Sequence, residues 1–340
     1  MTDRITGILT PNITPVDSAG RVDDDKLRAY VDWLIDRGVD GLYPNGSTGE
    51  FVRFTATERR HIVQVVVDQA AGRVPVLAGA AEANADETID ACNAYADMGV
   101  RAVAIVAPYY YRLSSEGVYA YFQRIARQVR VDVTLYNIPL FASPIDVDTV
   151  IRLASEEPRV IGLKDSSGDL PNLMRMMAAI RPMRDDFSFL TGWDASLVPM
   201  LIAGADGGTN ATSGVVPELT RAIHRSVVAG DIAGAMRMQY QLLPLFDLMI
   251  GLGEFPEGFR AGARARGWDL GPGRVPVSPV QQDAVDRAQR QVDSLVLEVA
   301  QGLPGESGSS QTSSSAHQPV TQSDAIESIV KRIVDQIGTA

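Results

Sequence analysis

Apolar residues along the first two-thirds of the chain fall into two alternating rhythms. Short runs rich in aliphatic and β-branched residues occupy 6–10, 39–43, 74–78, 102–106, 131–136, 160–164, 187–190 and 207–210, the pattern of buried strands. Between them apolar residues recur at helical spacing, as in Leu27, Val31, Leu34 and Ile35, or Val147, Val150, Ile151 and Ala154. Thr55 with Glu58, and Asp86 with Glu87, mark helix starts, and Gly38, Gly72 and Gly99 stand where helices end. Eight such β/α alternations predict an α/β fold, a (β/α)8 TIM barrel over residues 1–216, in preference to an open doubly wound sheet. A Gly-x-Gly-x-x-Gly turn after the first strand, which a dinucleotide fold wants, is missing.

The rhythm then changes twice. Residues 217–301 carry helical periodicity alone and predict helices packed on the barrel: one opening at Pro217-Glu218, one through Met236, Tyr240, Leu243 and Phe246 with Pro244 as a kink, and one from Pro279 to Ala300. Residues 302–322 are Gly, Ser, Pro, Gln and Thr with almost no large apolar side chain, the composition of a flexible linker. Residues 323–338 regain periodicity. Ile326, Ile329, Val330, Ile333, Val334 and Ile337 form one stripe opposite Glu327, Lys331, Arg332 and Asp335.

Composition narrows the chemistry. A net charge of -11 argues against nucleic acid or an anionic membrane surface as partner. No apolar run is long enough to span a bilayer, and Met1-Thr2-Asp3-Arg4 opens no secretory signal, so a cytoplasmic protein is expected. The single cysteine, Cys92, reads as a small buried residue of a helix. His61, His224 and His317 are the three histidines, widely separated and without a second ligand at metal spacing, so no metal is expected. No Gly-x-Ser-x-Gly elbow accompanies them. Chemistry must then rest on lysine, tyrosine and carboxylates.

Lysine is scarce here. Lys26 follows three aspartates at a helix start and Lys331 lies in the polar face of the last helix, but Lys164 closes the apolar run Val160-Ile161-Gly162-Leu163. A desolvated lysine amine attacks carbonyls, which arginine does not; the plainer alternative is a side chain snorkelling to solvent. A (β/α)8 barrel places its site at the C-terminal ends of the strands. Those ends carry Gly46-Ser47-Thr48-Gly49-Glu50, Pro108-Tyr109-Tyr110-Tyr111, Tyr136-Asn137-Ile138-Pro139, Lys164-Asp165-Ser166, Gly192-Trp193-Asp194 and Thr209-Asn210. Tyr136 and Lys164 thus end adjacent strands, where a phenol moves protons for an amine nucleophile. The Gly-Ser-Thr-Gly turn offers N–H groups and hydroxyls to a carboxylate, though alone it is a common turn, and Tyr109 to Tyr111 also fit a packing cluster.

Taken together, Gly46-Ser47-Thr48-Gly49-Glu50, Pro108-Tyr109-Tyr110, Tyr136-Asn137-Ile138-Pro139 and Gly162-Leu163-Lys164-Asp165 make residues 4–300 resemble the dihydrodipicolinate synthase / N-acetylneuraminate lyase family of pyruvate-dependent class I aldolases. The resemblance implies that Lys164 forms a Schiff base with pyruvate or another 2-oxo acid, that Tyr136 shuttles protons, and that Ser47 supplies the relay hydroxyl. It assigns Thr48 to the carboxylate, Thr209 to the pocket, and Tyr110 to the neighbouring subunit's site in a dimer or tetramer. Neither an organic cofactor nor a metal is implied, and the partners are a 2-oxo acid and an aldehyde. Two departures stand out. Phe141 occupies the place of the arginine that binds the aldehyde's carboxylate in dihydrodipicolinate synthases, and Gly214 replaces a common asparagine near the distal substrate. The expected activity is reversible cleavage of a 2-oxo-3-deoxy sugar acid or a 4-hydroxy-2-oxo acid to pyruvate and an aldehyde. Dihydrodipicolinate synthesis, a dehydratase working through the same imine, and a non-catalytic scaffold barrel are the alternatives.

The tail carries a resemblance of its own. A low-complexity linker followed by a short Ile/Val-rich amphipathic helix is similar to the encapsulation peptides of bacterial microcompartment cargo enzymes. It implies a shell protein as partner for residues 323–338 and a location inside a microcompartment; docking on the chain's own barrel is the alternative.

Overall fold

The computed structural model describes residues 4–301, so the linker expected at 302–322 and the helix expected at 323–338 lie outside the described residues. Eight parallel strands run β1 Gly7–Thr10, β2 Gly41–Leu42, β3 Leu77–Gly79, β4 Ala102–Val106, β5 Val133–Asn137, β6 Val160–Asp165, β7 Ser188–Thr191 and β8 Gly207–Gly208. Their order, β2-β1-β8-β7-β6-β5-β4-β3, leaves β2 and β3 at the two ends. A bridge between Leu42 and Val76, with the Leu42 N–H donating to the Pro75 carbonyl at 3.0 Å, joins those ends and closes the ring. Strands β1, β2, β3 and β8 are shorter than their apolar runs because barrel pairing covers only part of each run.

Two apolar layers hold the barrel. Ile5, Leu9, Tyr43, Leu77, Ala102, Ala104, Ile161 and Leu190 fill its interior. A larger cluster, including Ile8, Val103, Ile105, Leu135 and Leu163, lies between strands and helices. Along β4 the alternation of Ala102 and Ala104 inward with Val103 and Ile105 outward shows the period-2 rule at work. Small residues point to the crowded axis.

The helices are α1 Asp24–Asp36, α2 Ala56–Ala70, α3 Ala85–Met98, α4 Ser115–Gln128, α5 Val147–Glu156, α6 Leu170–Ile180, α7 Leu197–Ala203, α8 Pro217–Val228, α9 Ile232–Gly251, α10 Glu257–Ala265 and α11 Pro279–Gln301. The Thr55–Glu58 pair forms a reciprocal capping box on α2, and such caps contribute about 1 kcal/mol. Gly99 ends α3 in the left-handed conformation at φ 86°. At α3 the cap is Asn84, whose Oδ1 accepts the Asp86 N–H at 2.8 Å, rather than an acidic residue of the first turn.

Helix α8 packs on α9, α7 and β1, and α9, α10 and α11 follow it. Helix α10 has no counterpart in the expected set. Its glycines are the reason it was illegible and the reason it fits. A Cβ on Gly258 would lie 2.8 Å from the Met249 Cα, and one on Gly262 would lie 2.5 Å from the Met249 Sδ, so only glycine lets α10 approach α9 this closely. Pro244 lies inside α9 as expected. None of the described helices is long and apolar enough to cross a membrane.

Candidate active site

Lys164 reaches the barrel axis because β6 carries a bulge. Val133 pairs with Val160, but Thr134 pairs with Gly162, so Ile161 is an extra residue. Ile161 points into the barrel while Val160 and Leu163 pack on the helix side. Without the bulge, alternation from Ile161 would turn Lys164 outward; the extra residue shifts the parity and turns it inward. The side chain is 5% exposed. Its Nζ lies 3.9 Å from the ring centre of Tyr136 and 4.7 Å from that of Tyr43, so two π faces cradle the amine.

Register places Tyr136 directly beside Lys164 on β5, and Asn137 beside Asp165. The Tyr136 hydroxyl lies 3.3 Å from the Ser47 Oγ, so the ring beside the amine carries a phenol in hydrogen-bond reach of a serine hydroxyl. The Asn137 Nδ2 donates to Asp165 at 2.6 Å and its Oδ1 accepts the Ile145 N–H at 3.0 Å, pinning the loop after β5. Asp165 also accepts from the Ser167 hydroxyl at 2.7 Å; burial raises its carboxyl above the usual range. Tyr43 has its phenol pushed well up by burial, with Tyr136 adding to the effect. Tyr43 therefore stays protonated and serves as a floor.

The Ser47 turn is held from below by charge. Glu50, in the left-handed region at φ 58°, accepts from Arg53 at 2.6 Å and from the Arg260 Nε at 3.0 Å. Arg260 is 1% exposed and also donates to the Thr14 and Leu270 carbonyls at 3.0 Å each. Burial opposes ionisation of Glu50, but Arg260 and Arg53 outweigh it and hold the carboxyl below its ordinary value. The Arg53 guanidinium reaches on to the Phe255 carbonyl at 3.0 Å, tying the turn to the segment before α10.

Around the amine lies a cavity lined by Ser47, Thr48, Phe141 and Thr209, four of the residues expected there, together with Tyr136 and Lys164. Tyr110 stands apart. It is 83% exposed, stacked edge-on against Tyr111 with ring centres 4.9 Å apart, and it does not line this cavity. Gly214 also lies elsewhere: its carbonyl accepts the Tyr30 hydroxyl at 2.6 Å, and a Cβ there would meet that hydroxyl at 2.9 Å. The departure at 214 thus accommodates Tyr30 and does not shape the pocket wall.

The cavity contains residues that were not singled out. Ser166 and Thr209 present buried hydroxyls without a protein partner, and unpaired polar groups at a cavity are what a polar ligand satisfies. Asp194 is buried, accepts from the Thr212 N–H at 2.8 Å, and has its carboxyl raised by burial. Ser166, Trp193 and Asp194 end strands, a signal that was readable. Phe246, Ile250 and Phe255 come from α9 and the segment after it, and nothing in the sequence ties them to the barrel mouth. Cys92 is fully buried, with its thiol pushed up to about 12 by burial, as its position implied.

Comparison with known proteins gives the family. A 4-hydroxy-tetrahydrodipicolinate synthase of Nitratidesulfovibrio vulgaris (strain DP4) is 33% identical over 280 residues, spanning 82% of this chain and 94% of its own. The Bacillus subtilis (strain 168) protein of the same name is 32% identical over 277 residues, 81% of this chain and 94% of its own. Among solved structures, the prophage protein YagE of E. coli K12, a dihydrodipicolinic acid synthase family member in complex with pyruvate, superimposes with a TM-score of 0.79 at 28% identity, covering 87% of this chain and 99% of that one. The Dihydrodipicolinate synthetase family profile matches residues 4–295, and the chain belongs to that family of pyruvate-dependent class I lyases.

Proposed function

We propose that the chain cleaves, and reversibly forms, a 4-hydroxy-2-oxo acid through an imine on Lys164. The Lys164 amine adds to the C2 carbonyl and Tyr136 passes protons as water leaves, giving a protonated imine. Loss of the C4 hydroxyl proton toward Tyr136 and Ser47 then lets the C3–C4 bond break. Its electron pair enters the imine as an enamine, and the aldehyde departs. Protonation at C3 and hydrolysis release pyruvate and the free amine. Thr48, and the Thr209 hydroxyl that lacks a protein partner, hold the carboxylate. The observation that carries this reading is the inward Lys164 amine 3.9 Å from the Tyr136 ring, with that phenol 3.3 Å from Ser47.

Borohydride reduction in the presence of pyruvate tests it. One pyruvyl adduct per chain is expected on Lys164, none on Lys26 or Lys331, and none after Lys164→Ala. Unlabelled protein, or label elsewhere, overturns the mechanism.

The names of the relatives favour a second reading, condensation of pyruvate with aspartate semialdehyde. Phe141 weighs against it, because a phenyl ring cannot pair bidentately with a carboxylate. Efficient turnover of aspartate semialdehyde decides for the second reading. Two outer features belong to the same proposal. The exposed Tyr110–Tyr111 pair suits a homo-oligomer, dimer or tetramer, in which Tyr110 approaches a neighbour's site. Residues 323–338 recruit the enzyme to a microcompartment shell, where a released aldehyde is confined.

A further inference from the structure

Resting on the Lys164 imine, the structure assigns the distal part of the substrate: we infer that it is an aryl group, so that the aldehyde released is aromatic. Besides Ser47, Thr48, Ser166, Asp194 and Thr209, the first cavity is walled by Leu140, Phe141, Trp193, Phe246, Ile250 and Phe255. These six residues supply no carboxylate, ammonium, amide or hydroxyl side chain. Phe141 and Phe255 meet at 5.6 Å and 50°, and Trp193 meets Phe246 edge-on at 5.4 Å and 83°. Such tilted and edge-on clusters offer both ring faces and ring edges to a further aromatic ring.

Past Ser47 and Ile138 the space opens into a second cavity of about 330 Å³, with Phe51, Val52, Tyr109 and Phe141 among its walls. An apolar cavity of about 150 Å³ is enough to take benzene, so there is room for a substituted ring. Ser47, Ile138, Phe141 and Phe255 line both cavities, so the two adjoin. A cation is the strongest recognition element for a distal carboxylate. Among the residues lining the two cavities beyond Lys164, that leaves Arg53, whose guanidinium is already paired with the Glu50 carboxylate at 2.6 Å and oriented on the Phe255 carbonyl at 3.0 Å. Hydroxyls of a polyhydroxylated tail that face these six side chains gain no partner from them beyond the Trp193 indole N–H. The wall therefore favours an apolar aldehyde over an anionic or sugar-like one. The chemistry itself is unchanged: the C3–C4 bond breaks, the C4 hydroxyl proton leaves through Tyr136, and the new carbonyl is attached to the ring.

The test uses the full chain with pyruvate and three aldehydes: benzaldehyde, glyceraldehyde and aspartate semialdehyde. The kcat/KM for benzaldehyde should exceed that for either of the others by at least about tenfold, the low end of what an apolar subsite discriminates. Phe141→Arg should cut the benzaldehyde advantage over aspartate semialdehyde about tenfold or more. Equal or better use of glyceraldehyde, or an unchanged ratio in Phe141→Arg, overturns the assignment. A binding readout separates the subsite from the chemistry. With borohydride, 4-phenyl-2-oxobutanoate should label Lys164 at concentrations about tenfold below those 2-oxobutanoate requires. Labelling by both at the same concentration overturns the aryl subsite and leaves the imine standing. Labelling by no 2-oxo acid overturns the imine and the subsite with it.

Discussion

Gly192 is the position where the smallest change should most damage the nucleophile. It follows β7 and lies against the Lys164 side chain: a Cβ built there would be 2.6 Å from the Lys164 Cε, with the Ser166 hydroxyl closer still. Ordinary contact begins at 3.4 Å, so in Gly192→Ala the lysine Cε must retreat by about 0.8 Å. Its retreat is blocked on the other side by the Tyr43 and Tyr136 rings. Two costs follow. Overpacking of a tight site destabilises by about 1–3 kcal/mol, and a 1 Å misplacement of a reacting group costs about 10²-fold in rate, roughly 2.7 kcal/mol of barrier. Gly192→Ala should therefore fold, unfold at slightly lower denaturant concentration, and lose about 100-fold in kcat/KM and in the rate of borohydride labelling. Gly251→Ala is the control. A Cβ there meets nothing within 4 Å, at the end of a helix, so it should keep full activity and gain up to about 1 kcal/mol. Wild-type labelling and turnover in Gly192→Ala would refute the idea that the amine is held between Gly192 and the two rings.

Tyr136→Phe should keep some pyruvate labelling but lose about 10²–10⁴-fold in turnover, since it removes the proton carrier and leaves the amine; equal loss of both readouts would contradict the division of labour. Glu50→Gln leaves the buried Arg260 with Glu257, 3.9 Å from its Nε, as its remaining counter-charge and should destabilise by about 3 kcal/mol at pH 7 in denaturant titrations. Because the folded Glu50 carboxyl lies below its ordinary 4.5, its stabilisation is fully present above that value and is lost as pH falls through the folded pKa. The gap between wild type and Glu50→Gln should thus begin to narrow near pH 4.5; a gap independent of pH refutes the assignment. A fluorescent protein fused to residues 303–340 should concentrate with shell proteins in the native host, and diffuse fluorescence there removes support for targeting.

Much of the barrel was legible because a strand buried on both faces must be apolar along its whole length. Eight such runs with helical intervals leave few other folds. The inner end of the site was legible for a related reason: a strand's last residue at the C-terminal rim has little choice of surroundings. Lys164, Tyr136, Ser47, Thr48 and Thr209 all meet around one cavity. Their facing direction was not legible. Simple alternation from Ile161 turns Lys164 toward the helices, and only the bulge against Val133 and Thr134 corrects it. A bulge is one extra residue in a hydrogen-bond ladder, and an apolar run records the ladder's burial but not its count.

The outer wall was illegible for a stronger reason. Phe246 and Ile250 lie in α9, Phe255 in the turn before α10, and their place over β5 and β6 depends on how α9 and α10 pack on each other. That packing is set by the Cβ-free faces of Gly258 and Gly262, which sequence periodicity registers only as poor helix formers. The consequence bears on specificity. On the proposed mechanism, the residues that form the imine come from strand ends that the fold itself dictates, whereas those facing the aldehyde come from a helical addition and from Phe141, in a tight turn where the Phe141 N–H donates to the Ile138 carbonyl at 3.0 Å. Catalysis and substrate choice would then be carried by different parts of the chain. Substitutions at Phe141, Phe246 or Phe255 should change which aldehyde is accepted while leaving Lys164, Tyr136, Ser47 and the capacity to trap pyruvate in place.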